Sequence, residues 1–164
     1  MAHGFGVIGC GYVGTAVAMR MQRAGHNVTA TTRSPENVRE LQRLIKDVRQ
    51  LDINDADPDL SFLADLQGLL ISVAPTRRNE AYGDVFERGM RSLAAALRRR
   101  DSTQPLHITY ISSVSVYGDQ QGEEVNEDAA LDTGSPVNNM LVTAEELMLD
   151  IDRPDTSICV LRLG

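Results

Sequence analysis

Gly9-Cys10-Gly11-Tyr12-Val13-Gly14 is the stretch that decides the fold. It follows a short apolar run over residues 5–9 and opens a stretch where Val13, Ala16, Val17 and Met21 recur at helical spacing, so it reads as a strand-turn-helix junction. In that setting Gly9 permits a tight turn, Gly11 lets a ligand approach the backbone, and Gly14 lets helix pack closely on strand. The helix start then offers N–H groups without intrahelical partners and a partial positive charge, a combination suited to a diphosphate.

The pattern continues outward. Residues 27–31 read as a second strand, Ser34-Pro35 as an N-cap with proline at the first helical position, and Val38, Leu41, Leu44 and Ile45 as the apolar side of the helix that follows. Residues 47–51 form a short third strand, and residues 69–73 a fourth that is apolar throughout, as in a strand buried on both faces, stopped by Pro75. A helical stretch over residues 80–100 precedes a fifth strand at 106–111, and a helix at 140–149 precedes a sixth strand at 157–163. The polar residues 119–135 read as a long loop beside the sheet. This alternation predicts an α/β fold, a doubly wound, mainly parallel six-stranded Rossmann sheet with helices on both faces, as a single domain over residues 1–164.

With 164 residues, 42% of them hydrophobic, the chain has enough apolar material for one core. Its formal charge of -7 argues against a nucleic-acid partner held by a basic surface, and the run Arg98-Arg99-Arg100 reads as a solvated helix end. No apolar run reaches membrane-spanning length and no leader pattern is evident, so the expected setting is cytoplasmic. Cys10 and Cys159 have neither disulfide nor metal spacing and suit a reducing compartment, and His3, His26 and His107 read as packing residues rather than ligands. No metal is expected. Glu123, Glu124, Glu127 and Asp128 read as solvated surface.

The end of the second strand bears on which dinucleotide binds. An acid there commonly accepts from the ribose hydroxyls, but this chain has Thr31-Thr32-Arg33-Ser34. A guanidinium at that point can pair with a ribose 2′-phosphate, which favours NADP over NAD; the other reading of Arg33 is an ordinary loop arginine. Asp52 is placed to accept from the adenine amino group, or else to form a turn within Asp52-Ile53-Asn54-Asp55. Ala74, before Pro75, leaves room for the nicotinamide ribose. The expected cofactor-binding set is therefore Gly9, Gly11, Tyr12, Val13, Gly14, Thr32, Arg33, Asp52 and Ala74.

With these residues and the segment Ile111-Ser112-Ser113-Val114-Ser115-Val116-Tyr117-Gly118, the chain resembles the extended short-chain dehydrogenase/reductase family, in its NAD-dependent epimerase/dehydratase group, over nearly its whole length. The resemblance implies that Ser113 is the catalytic serine. It also implies a Tyr-x-x-x-Lys pair on the next helix, but aligning Pro136 and Glu145 with the family's proline and glutamate puts Val137 and Leu141 at those positions, and neither transfers a proton. No Tyr or Lys follows Tyr117, which reads either as a substitute acid or as a buried aromatic in its turn. The family's C-terminal substrate-binding region is expected to be absent, with Leu161-Arg162-Leu163-Gly164 as its lead-in. Two functions follow from the resemblance: an NADP-binding domain of an oxidoreductase acting on a sugar-nucleotide-like or small carbonyl substrate, or a non-catalytic dinucleotide sensor or interaction module. Family habit suggests a homodimer.

Overall fold

The computed structural model describes residues 2–75, 83–102 and 104–164. Five runs rich in apolar and β-branched residues and one short polar one, β3, form β1 (Gly4–Ile8), β2 (Asn27–Thr32), β3 (Asp47–Gln50), β4 (Gly68–Ile71), β5 (Leu106–Ser113) and β6 (Thr156–Leu163). All pair in parallel, in the order β3-β2-β1-β4-β5-β6. The chain winds outward from β1 to β3, then restarts at β4 on the other side of β1. The two windings diverge at the carboxyl ends of β1 and β4, which leaves a crevice there.

Alternation along the strands feeds two core layers. Val7, Val28, Ala30, Val48 and Leu70 pack with Ala18 of helix α1 (Tyr12–Arg23) and Leu41 of α2 (Pro35–Leu41). Ile8, Leu69, Ile71, Ile108 and Tyr110 pack on the other face with Leu93 and Leu97 of α3 (Met90–Arg98) and with Ala144 and Met148 of α4 (Pro136–Leu149). The chain therefore has the α/β Rossmann fold expected of it, with helices on both faces of the sheet.

Local signals explain several boundaries. The Ser34 hydroxyl caps α2 by accepting from the Asn37 N–H at 3.2 Å, and Gly25 ends the α1 region at φ +89°, a conformation that favours glycine. The last helix starts at Pro136 rather than at residue 140, because Ser135-Pro136 repeats the Ser-Pro start of α2. The beginning of the stretch expected at 80–100 lies outside the described residues. Its described part opens with a π-helical turn, Asp84–Gly89, before α3. Gly89 lets Asn54 and Ile53 press against that turn, since a Cβ on it would stand 2.7 Å from atoms of both.

The basic run 98–100 is corrected. Arg98 and Arg99 are exposed, but Arg100 is 6% exposed and donates to the carbonyls of Leu63, Ala64, Leu66 and Gln104. Three of those carbonyls lie in or just after the short 3₁₀ turn Ser61–Asp65, an element with no periodic signal, so the partner that draws Arg100 inward leaves no trace in the sequence.

Candidate functional site

The glycine turn forms the centre of the crevice. The Cys10 N–H donates to the Thr31 carbonyl at 2.8 Å, tying the turn to β2, and the Gly11 N–H donates to the Gly9 carbonyl at 3.0 Å. Gly9 has φ +92°, and a Cβ there would meet the Ser72 carbonyl oxygen at 2.4 Å, so both conformation and close packing on β4 require glycine. Gly14 is fixed by packing alone, its Cβ position lying 2.2 Å from the Gly9 oxygen. Gly11 differs from both: its φ is −85° and a Cβ there would meet nothing within 4 Å.

Packing inside the protein does not account for a glycine at 11, but an approaching ligand does. Helix α1 begins directly behind it with no side-chain cap and no acid in its first turn, which leaves the amide donors and the positive dipole end facing that open space. The residues present thus fit a bound diphosphate.

A cleft of about 470 Å³ runs across this point. Gly9 and Gly11 line its middle, Thr32, Arg33 and Asp52 one end, and Ala74 and Pro75 the other. Of the expected cofactor residues, Tyr12, Val13 and Gly14 do not line it; Tyr12 is 97% exposed, Val13 half-buried, and Gly14 buried beneath the turn. The structure adds Ser34, Asn37, Ile53 and Asn54 to the Arg33 end. These carry no ligand-binding motif and are gathered only by the folding of two strand ends, those of β2 and β3. The Asp52 carboxylate accepts from the Asn54 N–H at 2.9 Å, so the turn expected for this segment is formed while Asp52 still lines the cleft. Cys10 is buried, which pushes its thiol up to about 11 against the opposing effect of the Thr31 backbone.

Ser113 and Tyr117 do not line this cleft. Ser113 ends β5, one strand beyond β4, and its Oγ accepts from the Ser115 N–H at 3.2 Å to start the 3₁₀ turn Val114–Tyr117. Tyr117 is 7% exposed and its hydroxyl accepts from Arg162 Nη1 at 2.7 Å, so it is a buried turn aromatic with a bonded polar tip. Val137 is 37% exposed near the start of α4, whereas Leu141 is part of the core.

An ion pair between a buried carboxylate and a half-buried guanidinium adjoins these residues. Glu145, 2% exposed on α4, accepts from Ser112 Oγ at 2.5 Å and from Arg162 Nη2 at 2.7 Å, and the guanidinium of Arg162 also lies 4.9 Å from the Tyr117 ring centre. The bonds to Glu145 and then to Tyr117 hold the Arg162 proton more firmly than usual. Reading by motif missed this pair, although a glutamate on the same helix side as Leu141, Val142, Ala144 and Met148 was a signal that a cation had to meet it. Among the described residues no group of His, Cys, Asp and Glu is arranged to hold a metal, and no helix is long and apolar enough to cross a membrane.

A six-stranded parallel sheet with an uncapped glycine turn at its topological switch point defines the Rossmann class of α/β domain. The family model of the NAD dependent epimerase/dehydratase family matches residues 7–164, and the chain belongs to that family. No curated protein matches it. Among solved structures, a Burkholderia cenocepacia J2315 protein is similar with 21% identity and a TM-score of 0.79, over 99% of this chain and 54% of that one. The Bordetella bronchiseptica enzyme WbmH, in complex with NAD+, is similar with 16% identity and a TM-score of 0.75, over 100% of this chain and 56% of that one. UDP-glucose-4-epimerase from Stenotrophomonas maltophila, with bound NAD and formylated UDP-arabinopyranose, has 22% identity and a TM-score of 0.73, over 99% and 52%. The chain spans about half the length of these proteins.

Proposed function

We propose that this chain is the NADP-binding domain of an epimerase/dehydratase-type oxidoreductase. The observation that carries the reading is Gly11, whose missing side chain leaves open space in front of an uncapped helix start. The amides of the 9–14 turn would hold the pyrophosphate, Tyr12 and Val13 contributing main-chain groups and Gly14 the close helix packing that aims them. Asp52 would meet the adenine, and Ala74 would leave room for the nicotinamide ribose. Thr32 and Arg33, at the end of β2 where no acid stands, would meet a 2′-phosphate; this supports NADP, while NAD is the nucleotide bound in four of the similar structures. When bound, the nicotinamide supplies hydride acceptance and return. Ser113 would orient a substrate oxygen. A reducing, cytoplasmic setting suits the free thiols Cys10 and Cys159, and a homodimer remains the expected assembly.

A second reading is favoured by Val137 and Leu141, which cannot move a proton: a dinucleotide-binding sensor or interaction module that keeps the cradle without turnover. Two measurements on the same protein separate the readings. Thermal melting with and without NADP tests binding, where a ligand at 100 times its Kd adds about 2.7 kcal/mol. NADPH oxidation with a panel of carbonyl compounds tests turnover. A melting shift with turnover supports the enzyme, a shift alone supports the sensor, and no shift with NADP or NAD contradicts both.

A further inference from the structure

We propose that Glu145 and Arg162 are positioning residues for the Ala74 end of the cleft, holding Ser113 where the nicotinamide riboside half of a dinucleotide would lie. The proposal rests on the dinucleotide reading above. It starts from the way one carboxylate and one guanidinium join four separate pieces of chain. Ser112 at the end of β5 donates to Glu145 Oε1, Glu145 stands on α4, Arg162 of β6 donates to both Glu145 oxygens, and Arg162 Nη1 donates to the Tyr117 hydroxyl in the turn after β5.

Stability alone gives little reason for such a pair, because well-packed apolar residues of similar volume often serve as well in a buried place. What the charged pair adds is direction: a planar fork and a carboxylate fix distances and angles that apolar side chains leave loose. The direction matters because of what adjoins it. Ser113 follows Ser112 and points to the opposite side of the strand. The β4–β5 pairing ends at Ile71↔Tyr110, so the last three residues of β5 continue past the carboxyl end of β4, from which Ser72, Val73 and Ala74 of the cleft wall lead on. A shift of Ser112 by the length of one hydrogen bond would carry Ser113 and its turn with it.

The test compares a whole dinucleotide with its adenosine half. Binding of NADP and of 2′,5′-ADP is measured by calorimetry for the wild-type chain, Ser112→Ala and Glu145→Gln, with amide hydrogen exchange followed over residues 113–118. Both variants are expected to lose about 10-fold in NADP affinity, to keep 2′,5′-ADP affinity, and to exchange faster over 113–118. Arg162→Lys keeps the charge without the fork and is expected to lose less NADP affinity than Glu145→Gln. Equal weakening of both ligands, or unchanged NADP affinity, overturns the positioning role. If Glu145→Gln does not fold, Ser112→Ala decides, since it leaves the ion pair intact. Wild-type protein that binds neither compound overturns the dinucleotide reading, and the positioning role falls with it.

Discussion

The Gly9 carbonyl oxygen stands 2.2 Å from the place a Cβ on Gly14 would occupy, so strand end and helix start are in contact through bare backbone. Gly14→Ala is therefore expected to lower stability without ligand by about 1–3 kcal/mol, the usual range for forcing atoms into a filled space. Gly11→Val is expected to leave unliganded melting close to wild type and to abolish the shift caused by NADP. Melting curves of both variants with and without nucleotide check the pair. A Gly11 variant that still shifts would show that the open space is not the phosphate path.

Arg33 lies with Thr32 and Ser34 at the end of the cleft beyond β2. If it meets a 2′-phosphate, Arg33→Ala removes a charge-assisted interaction of about 1.5–3 kcal/mol for NADP and little for NAD. The expected result is a loss of about 10- to 100-fold for NADP alone. Titration of the variant with each nucleotide checks this, and an equal loss for both removes Arg33 from the phosphate site.

Arg100 offers a contrast within three consecutive arginines. Its guanidinium is wholly buried among carbonyl oxygens, so Arg100→Ala leaves several acceptors without donors and is expected to cost about 3 kcal/mol. Arg99→Ala, at an exposed position, is expected to stay within about 0.5 kcal/mol of wild type. Urea unfolding of the two variants makes the comparison.

The cysteines are expected to differ in reactivity. Cys159 is exposed and Cys10 is buried, so a thiol reagent at neutral pH should modify one cysteine quickly and the second only after unfolding. Burial raises the Cys10 thiol from 9.0 to about 11, so the folded protein holds that proton more tightly than the unfolded chain does. Its contribution to stability is full below pH 9 and falls as pH rises toward 11, by about 1.4 kcal/mol per pH unit. Cys10→Ala should flatten that part of the pH profile.

Much of this architecture was legible because strand and helix periods are local. Residues 5–14 carry their own signals, and so do the Ser-Pro helix start at 34–35 and the apolar run of β4. The second Ser-Pro start, at 135–136, is equally local but sits inside a polar stretch that reads as loop. What was not legible depends on chain ends brought together from afar. Arg100 meets carbonyls of residues 63–66, and Glu145 meets Ser112 and Arg162, separations that leave no periodic trace. The cleft was half visible: its glycines form a motif, whereas Asn37 and Asn54 arrive with the ends of neighbouring elements.

The most direct test is a calorimetric titration of the wild-type chain with NADP and, separately, with NAD. The account predicts saturable binding at one site per chain, tighter for NADP, and abolished by Gly11→Val. Absence of binding heat with both nucleotides, together with unchanged melting, would contradict it.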